Sequence, residues 1–320
     1  MAWLVSSQVI GPIGYIGPIQ HRNMPDRYHS GYVALIGRPN AGKSTLLNSL
    51  VGQKIAAVSN KPQTTRYQIK GVITKPEGQI VLVDTPGVHQ PGYELNRRMM
   101  ATVQDALLGV DLLCLIRDAS VSTGQGDRFV LDLIKRSGKA GLLLLNKIDK
   151  LDDKSALLPL IDWYSKEYEW REIIPISALK DEMMDVLIES YVRHLPEGAP
   201  IFDEDELTDQ SLRVLVSEMV REKLLDATGD EIPYVTAVVT ERYEEVRDDF
   251  TRIYCTIVVE KASQKKIVIG RGANRLKEIG IGARREIEKL LGHRVHLELF
   301  VKVEEDWRNR EQLLNEMGLG

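Results

Sequence analysis

From Gly31 to Leu195, short apolar runs alternate with segments of helical periodicity. Runs rich in Val, Ile and Leu at Tyr32–Ile36, Ile69–Thr74, Gln79–Asp84, Asp111–Arg117, Gly141–Leu145 and Ile173–Ile176 predict strands. Amphipathic segments opening at Lys43, Arg97, Gln125, Ser155 and Asp181 predict helices between them. Such alternation builds an α/β unit over 29–195: a mostly parallel six-stranded sheet with helices on both faces. A Pro-Glu-Gly-Ala-Pro stretch from Pro196 then reads as the start of a linker over 196–207. Beyond it the order changes to a helix (Thr208–Ala227), strands (Tyr234–Glu241, Thr251–Val259), a glycine-containing turn, a helix (Ala273–Leu291) and a strand (Val295–Val303). That order predicts a small α+β unit over 208–305, followed by a tail helix over 306–320. Residues 1–28 are interrupted by Gly and Pro and read as a disordered extension, with Met24 an alternative start.

Composition narrows the class. The 320-residue length suffices for two cores, and 43% hydrophobic with 28% charged residues is the balance of a soluble globular protein. The net charge of −4 excludes a uniformly basic coat. Locally, Lys261–Lys289 holds nine Lys/Arg against three Asp/Glu, whereas acids dominate Asp203–Asp249. No apolar run approaches the ~20 residues needed to cross a bilayer, and the amino terminus lacks the basic start of a signal peptide. Cys114 and Cys255 lie in strand-like runs and read as buried free thiols in a reducing cytoplasm. His293 and His296 straddle a turn and form no metal pattern.

The candidate chemistry sits at strand ends. Gly37-Arg-Pro-Asn-Ala-Gly-Lys-Ser44 fits G-x-x-x-x-G-K-[ST] directly after a strand and opening a helix. Gly37 and Gly42 permit the tight course, and the N–H groups through Asn40, Ala41 and Gly42 into Thr45 would face phosphates, helped by the helix dipole. Lys43 would bridge the β- and γ-phosphates and Ser44 would ligate Mg²⁺. The loop alone leaves ATP open. Asp84-Thr-Pro-Gly87 ends a strand so that Asp84 would hold Mg²⁺ through water and the Gly87 N–H would sense the γ-phosphate. Asn146-Lys-Ile-Asp149 ends the apolar run Leu142–Leu145, and Asp149 can accept both N1–H and the 2-amino group of guanine, which adenine cannot offer together. Lys147 would lie along the base, and in Ser177-Ala178-Leu179 the Ala178 N–H could reach O6. Ligands bind at the carboxyl ends of such sheets, and the set specifies GTP or GDP. The polar segment around Pro62, Gln63, Thr64, Thr65 and Arg66 reads as a first switch, with Thr65 preferred to Thr64 as its Mg²⁺ ligand. Val88–Asn96 reads as the second.

With GRPNAGKS, KPQTTR, DTPG, NKID, SALK and the later KKIVIG and Trp307, the chain resembles the translation-factor-related GTPases of the Era type from Tyr32 onward. The resemblance implies a GTPase domain joined to a type II KH domain, binding to the 3′ end of 16S ribosomal RNA, and assistance to 30S subunit assembly. It also implies K⁺ held at Asn40. Two features depart from expected patterns. Val88 stands where Ras-like switches carry a water-orienting glutamine, so the water must be positioned otherwise. The KH loop reads Gly270-Arg-Gly-Ala273, with a methyl group where G-x-x-G has its last glycine. Lys266, Gly270, Arg271, Gly272, Arg275, Lys277, Arg284 and Arg285 are the candidate RNA contacts, with Ile267, Ile269 and Leu276 expected to anchor the loop on the sheet.

Alternatives are an enzyme that uses GTP to modify a small molecule, for which no second Asp, His or Cys cluster appears, and a GTPase acting on tRNA or membranes. The basic face leaves weak peripheral contact with the inner membrane open. Nothing points to an obligate protein partner.

Overall fold

The structure, a computed structural model, describes residues 27–61, 64–87, 93–229 and 232–319. Residues 1–26 of the expected extension, Pro62 and Gln63 of the first switch, and Val88 to Gly92 of the second lie outside the described residues.

Strands β1 (His29–Gly37), β2 (Ile69–Lys75), β3 (Gly78–Asp84), β4 (Leu112–Asp118), β5 (Gly141–Asn146) and β6 (Glu172–Pro175) form one sheet in the order β2-β3-β1-β4-β5-β6. Only β2 is antiparallel to its neighbour. β3 and β5 are buried along their whole length, which is why they read as unbroken apolar runs. Helices α1 (Lys43–Val51) and α5 (Met184–His194) cover one face through Leu46, Leu47, Leu187 and Tyr191. Helices α2 (Glu94–Gly109), α3 (Gln125–Ser137) and α4 (Leu157–Glu167) cover the other through Val103, Val130, Ile134 and Tyr164.

Three helices start away from their predicted positions. α2 begins three residues early because Glu94 pairs with Arg97 and Arg98 in its first turn. α4 is preceded by a 3₁₀ turn at Lys154–Ala156, whose Asp153 cap accepts from Ser155 N. α5 begins late because Asp181 and Met183 take left-handed conformations beneath a Ser177–Glu182 bridge.

The stretch predicted as linker lies along the β2 edge and the end of β3. Val72 N donates to Leu207 O at 2.9 Å, and the Gln79 carboxamide accepts from Ile201 N and Phe202 N while donating to Phe202 O. An edge strand with free N–H groups gains the partners it otherwise lacks.

The second unit has a three-stranded sheet, β7 (Thr236–Arg247), β8 (Phe250–Val259) and β9 (Arg294–Val303), with β7 and β8 antiparallel and β8 and β9 parallel. Helices α6 (Leu212–Ala227), α8 (Ala262–Ile269) and α9 (Asn274–Leu291) pack on one face through Val216, Val220, Val268, Ile279 and Ile287. α6 starts at Leu212 rather than Thr208 because Ser211 caps it by accepting from Val214 N. The short α7 (Ile232–Val235) takes Tyr234 out of the predicted strand.

α8 corrects an expectation. Ile267 and Ile269 were expected to anchor a loop on the sheet, yet they lie in a helix whose buried residue is Val268, and Ile267 is 41% exposed. The Gln264 side chain nucleates it by accepting from Glu260 N and Lys261 N, both at 2.9 Å.

The tail is a 3₁₀ turn at Trp307–Asn309 and α10 (Glu311–Glu316), shorter than the predicted helix. Trp307, Leu314 and Leu319 fill a core shared with Leu95 and Met99 of α2 and Ala237 and Val258 of the small sheet. Both thiols are free and buried; burial first of all pushes Cys114 up to about 12 and Cys255 up to about 11, so both are inert. Among the described residues no helix is long and apolar enough to cross a membrane.

Candidate nucleotide site and nucleic-acid loop

The phosphate loop runs from the end of β1 into α1, and its glycines answer to space. A Cβ on Gly37 would stand 2.5 Å from Ile116 O, and Gly42 has φ +102° with room for none beside Asn146 Nδ2. Ala41 is buried and Asn40 exposed in a left-handed conformation. The Lys43 ammonium sits 3.3 Å from Gly37 O and 3.4 Å from Arg38 O, and burial pushes its pKa down. Thr45 and Gly87 line the same cleft, Gly87 close against Pro39.

Three hard oxygens meet below the lysine. Ser44 Oγ lies 2.7 Å from Asp84 Oδ2 and 2.8 Å from Thr65 Oγ1, which is itself 3.3 Å from Asp84 Oδ2. Asp84 is fully buried, and its Oδ1 is among the buried polar atoms with no hydrogen-bond partner. Burial pushes its carboxyl up, against the opposing pull of Lys43, Ser44 and Thr65. A divalent cation with oxygen preference would satisfy that carboxylate, so the donor set fits Mg²⁺. The Thr64 hydroxyl is engaged elsewhere, donating to Lys61 O at 2.6 Å. Arg66 leaves the cleft altogether: its guanidinium donates to Pro233 O and Thr236 O at 2.6 Å each and lies over the Trp307 ring.

At the other end, Asp149 lines the cleft from an exposed 3₁₀ turn, and its Oδ1 accepts from Ser177 Oγ at 2.6 Å. Asn146 is 1% exposed and lines the cleft. Its Nδ2 donates to Ala41 O and its Oδ1 accepts from Ala178 N at 3.0 Å, so the N–H expected to reach O6 is engaged by Asn146. Leu179 is 67% exposed at the cleft rim.

Sequence reasoning missed the supports behind these groups. Lys147 Nζ is held between Asn40 O at 2.7 Å and Asp118 Oδ2 at 2.6 Å, which stretches its stem across the base position. Burial raises the Asp118 pKa, but hydrogen bonds from Lys147 and Ser120 outweigh it and leave the carboxyl below its usual range. Asp127 of α3 faces Arg38 of the phosphate loop and Arg117 of β4, each at 2.9 Å. The only sequence signal for Asp118 is its place at the end of an apolar strand.

In the small unit, Gly270–Ala273 joins α8 to α9 with positive φ at three of its four residues: Gly270 +74°, Gly272 +59° and Ala273 +61°. A Cβ on Gly270 would meet Arg275 Cβ at 2.8 Å, whereas Gly272 has open space around it. Lys266, Arg271 and Lys277 are exposed around this turn, and Arg284 and Arg285 are exposed further along α9. Arg275 instead bends back to Ile267 O and closes the end of α8. Beside them Leu276, Gly280, Ile281, Leu297 and Leu299 line an apolar groove of about 330 Å³, a site the sequence did not announce. A groove of that size can take a planar ring.

The mononucleotide fold and the motifs at its strand ends define a P-loop GTPase, and it is joined to a KH unit. Residues 32–147 match the family described as 50S ribosome-binding GTPase, and residues 231–308 match the KH domain. The chain is 45% identical to GTPase Era of Ruminiclostridium cellulolyticum, over 91% of this chain and 97% of that one, and 47% identical to GTPase Era of Xylella fastidiosa over the same shares. It superposes with TM-score 0.88 at 40% identity, covering 92% of this chain and 99% of the other, on Era bound to MgGDPNP and nucleotides 1506–1542 of 16S ribosomal RNA. It superposes with TM-score 0.87 at 39% identity, covering 91% and 99%, on an Aquifex aeolicus Era variant bound to GDP and AlF₄⁻. The chain belongs to the Era family of GTPases.

The left-handed Ala273 is strained, since a Cβ in that region costs roughly 1–2 kcal/mol. Ala273→Gly should therefore raise the denaturation midpoint of the KH unit by an amount worth about 1 kcal/mol, read in urea titrations; an unchanged or lower midpoint would contradict the strain.

Proposed function

We propose that this GTPase uses its nucleotide state to govern binding of the 3′ end of 16S ribosomal RNA by the KH unit, and so assists 30S subunit assembly. What supports the reading most is the convergence of Ser44, Thr65 and Asp84 beside Lys43 at one end of a cleft whose other end holds Asp149 against Ser177. The working parts are a GTPase domain over 29–195, a connecting strap over 196–207, the KH unit over 208–305 and a locking tail over 306–320.

Phosphate-loop N–H groups through Gly37, Ala41, Gly42, Lys43, Ser44 and Thr45 bind the phosphates, and Asp149 reads guanine with Ser177 holding it. Asn146, Ala178 and Leu179 shape the base end. Ser44, Thr65 and Asp84 (through water) hold Mg²⁺, which when bound neutralises charge on the β- and γ-phosphates. Water attacks the γ-phosphorus in line and the bond to the β–γ bridging oxygen breaks, giving GDP and phosphate; catalysis comes from positioning and charge. Gly87 and the segment Pro62–Arg66 report whether the γ-phosphate is present.

On the RNA side, Gly270 and Gly272 let the phosphate backbone approach, Lys266, Arg271, Lys277, Arg284 and Arg285 neutralise it, and Arg275 shapes the turn. The buried, unreactive thiols suit the cytoplasm, and the same basic face suits a peripheral contact with anionic lipid at the inner membrane. The glycine turn beside an apolar groove favours RNA.

Asp149→Asn should cost about 1.5–3 kcal/mol of GTP affinity, the worth of a hydrogen bond to a charged group, and xanthosine triphosphate should recover it. Equal GTP binding by variant and parent removes Asp149 from base reading.

A potassium ion at Asn40 is the finer part of this reading. The Asn40 Nδ2 donates to Asn60 O at 2.7 Å, which leaves its Oδ1 as the atom that would ligate a cation beside the phosphates. Hydrolysis should run faster in K⁺ than in Na⁺, with the difference lost in Asn40→Ala. Identical rates in the two salts dismiss the ion.

Gly272→Asp adds bulk and a negative charge at the open point of the turn. It should abolish binding of RNA nucleotides 1506–1542 while leaving GTP turnover without RNA unchanged. If RNA affinity persists, measured by fluorescence anisotropy over a salt series, the turn is not the clamp.

A further inference from the structure

The segment between α1 and the first switch is held from the other unit. Glu222, on α6, is 3% exposed, and its two carboxylate oxygens go to different places. Oε2 accepts from Val58 N at 2.8 Å, two residues before Asn60, whose carbonyl receives Asn40 of the phosphate loop. Oε1 takes Lys54 Nζ at 2.5 Å and Lys223 Nζ at 2.9 Å. Both ammonium groups also reach Glu286 of α9, closing a ring of two carboxylates and two lysines across the domain boundary. Asp226, one turn further along α6, accepts from Ser59 Oγ at 3.0 Å.

Each link is short and partly or wholly out of water, so the ring is an all-or-none element rather than a soft spring. Lys54 and Val58 belong to the GTPase domain and stand on the same stretch of chain. A displacement of that stretch withdraws both from Glu222 together and leaves the carboxylate with Lys223 alone. Glu286 then loses Lys54 as well, and Glu286 is one residue from the exposed Arg284–Arg285 pair on the helix that opens with the glycine turn.

We propose that Glu222 is a positioning residue that couples the first switch to α9, so that the nucleotide state and the RNA surface bias one shared ionic ring. The inference rests on the reading that nucleotide state governs RNA binding. Coupling between two sites is reciprocal and commonly amounts to about 5–150-fold in affinity.

The test measures the Kd of the full chain for RNA nucleotides 1506–1542 with GDP and with a non-hydrolysable GTP analogue. It uses the parent, Glu222→Gln, Lys54→Met and the double variant. In the parent the two Kd values should differ at least fivefold. In each single variant the ratio should fall to within twofold of one, and the double variant should add nothing, since both changes open the same ring. GDP affinity without RNA should stay within twofold, which a general loss of structure would not allow. Lys54 is one-third exposed, so Lys54→Met decides the matter should Glu222→Gln fail to fold. A parent-like ratio in both single variants overturns the role of Glu222. A parent ratio of one overturns the nucleotide-controlled reading, and this proposal with it.

Discussion

The Asn146 carboxamide is buried with each end committed to a different loop, Nδ2 to Ala41 O of the phosphate loop and Oδ1 to Ala178 N. Leaving either end unpaired in that position costs about 1–3 kcal/mol. The phosphate end and the base end of the cleft therefore cannot drift apart without losing one of these bonds. Gly42 follows from the same constraint, because its Cβ position is taken by the Asn146 nitrogen at 2.3 Å. The parallel pairings of β1 with β4 and β4 with β5 bring the loops close enough for one side chain to span them. Lys147, next in the chain, is then placed to reach Asn40 O and Asp118 from a left-handed conformation.

Against this rigid frame, the residues around the first switch have their supports outside the GTPase domain. Val58, Ser59 and Lys54 are held by α6, and Arg66 by carbonyls of α7 and the start of β7 with Trp307 beside it. Thr65, between the two anchors, reaches Ser44 and Asp84. Contacts from the other unit thus flank the switch on both sides. A change at Thr65 cannot be confined to the cleft, because its neighbour Arg66 is buried in the other unit's wall.

This division also explains what could be read from the chain and what could not. The strands were legible because burial on both faces leaves a contiguous apolar signal, and the motifs because phosphate and guanine chemistry prescribe residue types at short spacings. α8 was not legible: Ile267-Val268-Ile269 is a β-branched run, and the helix depends on Gln264 capping Glu260 and Lys261. The supports of the site are long-range pairs. Asp118 lies 29 residues from Lys147 and Asp127 lies 89 from Arg38, so no local pattern announces them. Arg66 reads as part of a switch by its place after Thr65, and only the packed domains reveal that its guanidinium serves the interface.

The asymmetric charge acquires a physical sense once the two anionic ligands of the proposed function are set side by side. Nucleotide and RNA both present phosphates, and an undivided basic surface would let one compete for the other's site. Here the cations that serve the nucleotide are sparse and enclosed, with Lys43 only 6% exposed at the bottom of its loop. The cations suited to RNA are exposed on α9 and the turn before it. Between them stand the acids of α6, of which Glu222 and Asp226 are engaged with the switch segment itself. Glu222 is matched there by Lys54 and Lys223, and Glu218 by Arg221, so the ground between the two sites offers a polyanion little free positive charge to follow toward the cleft. α6 thus joins the two sites through its ion pairs without offering either ligand a basic path to the other.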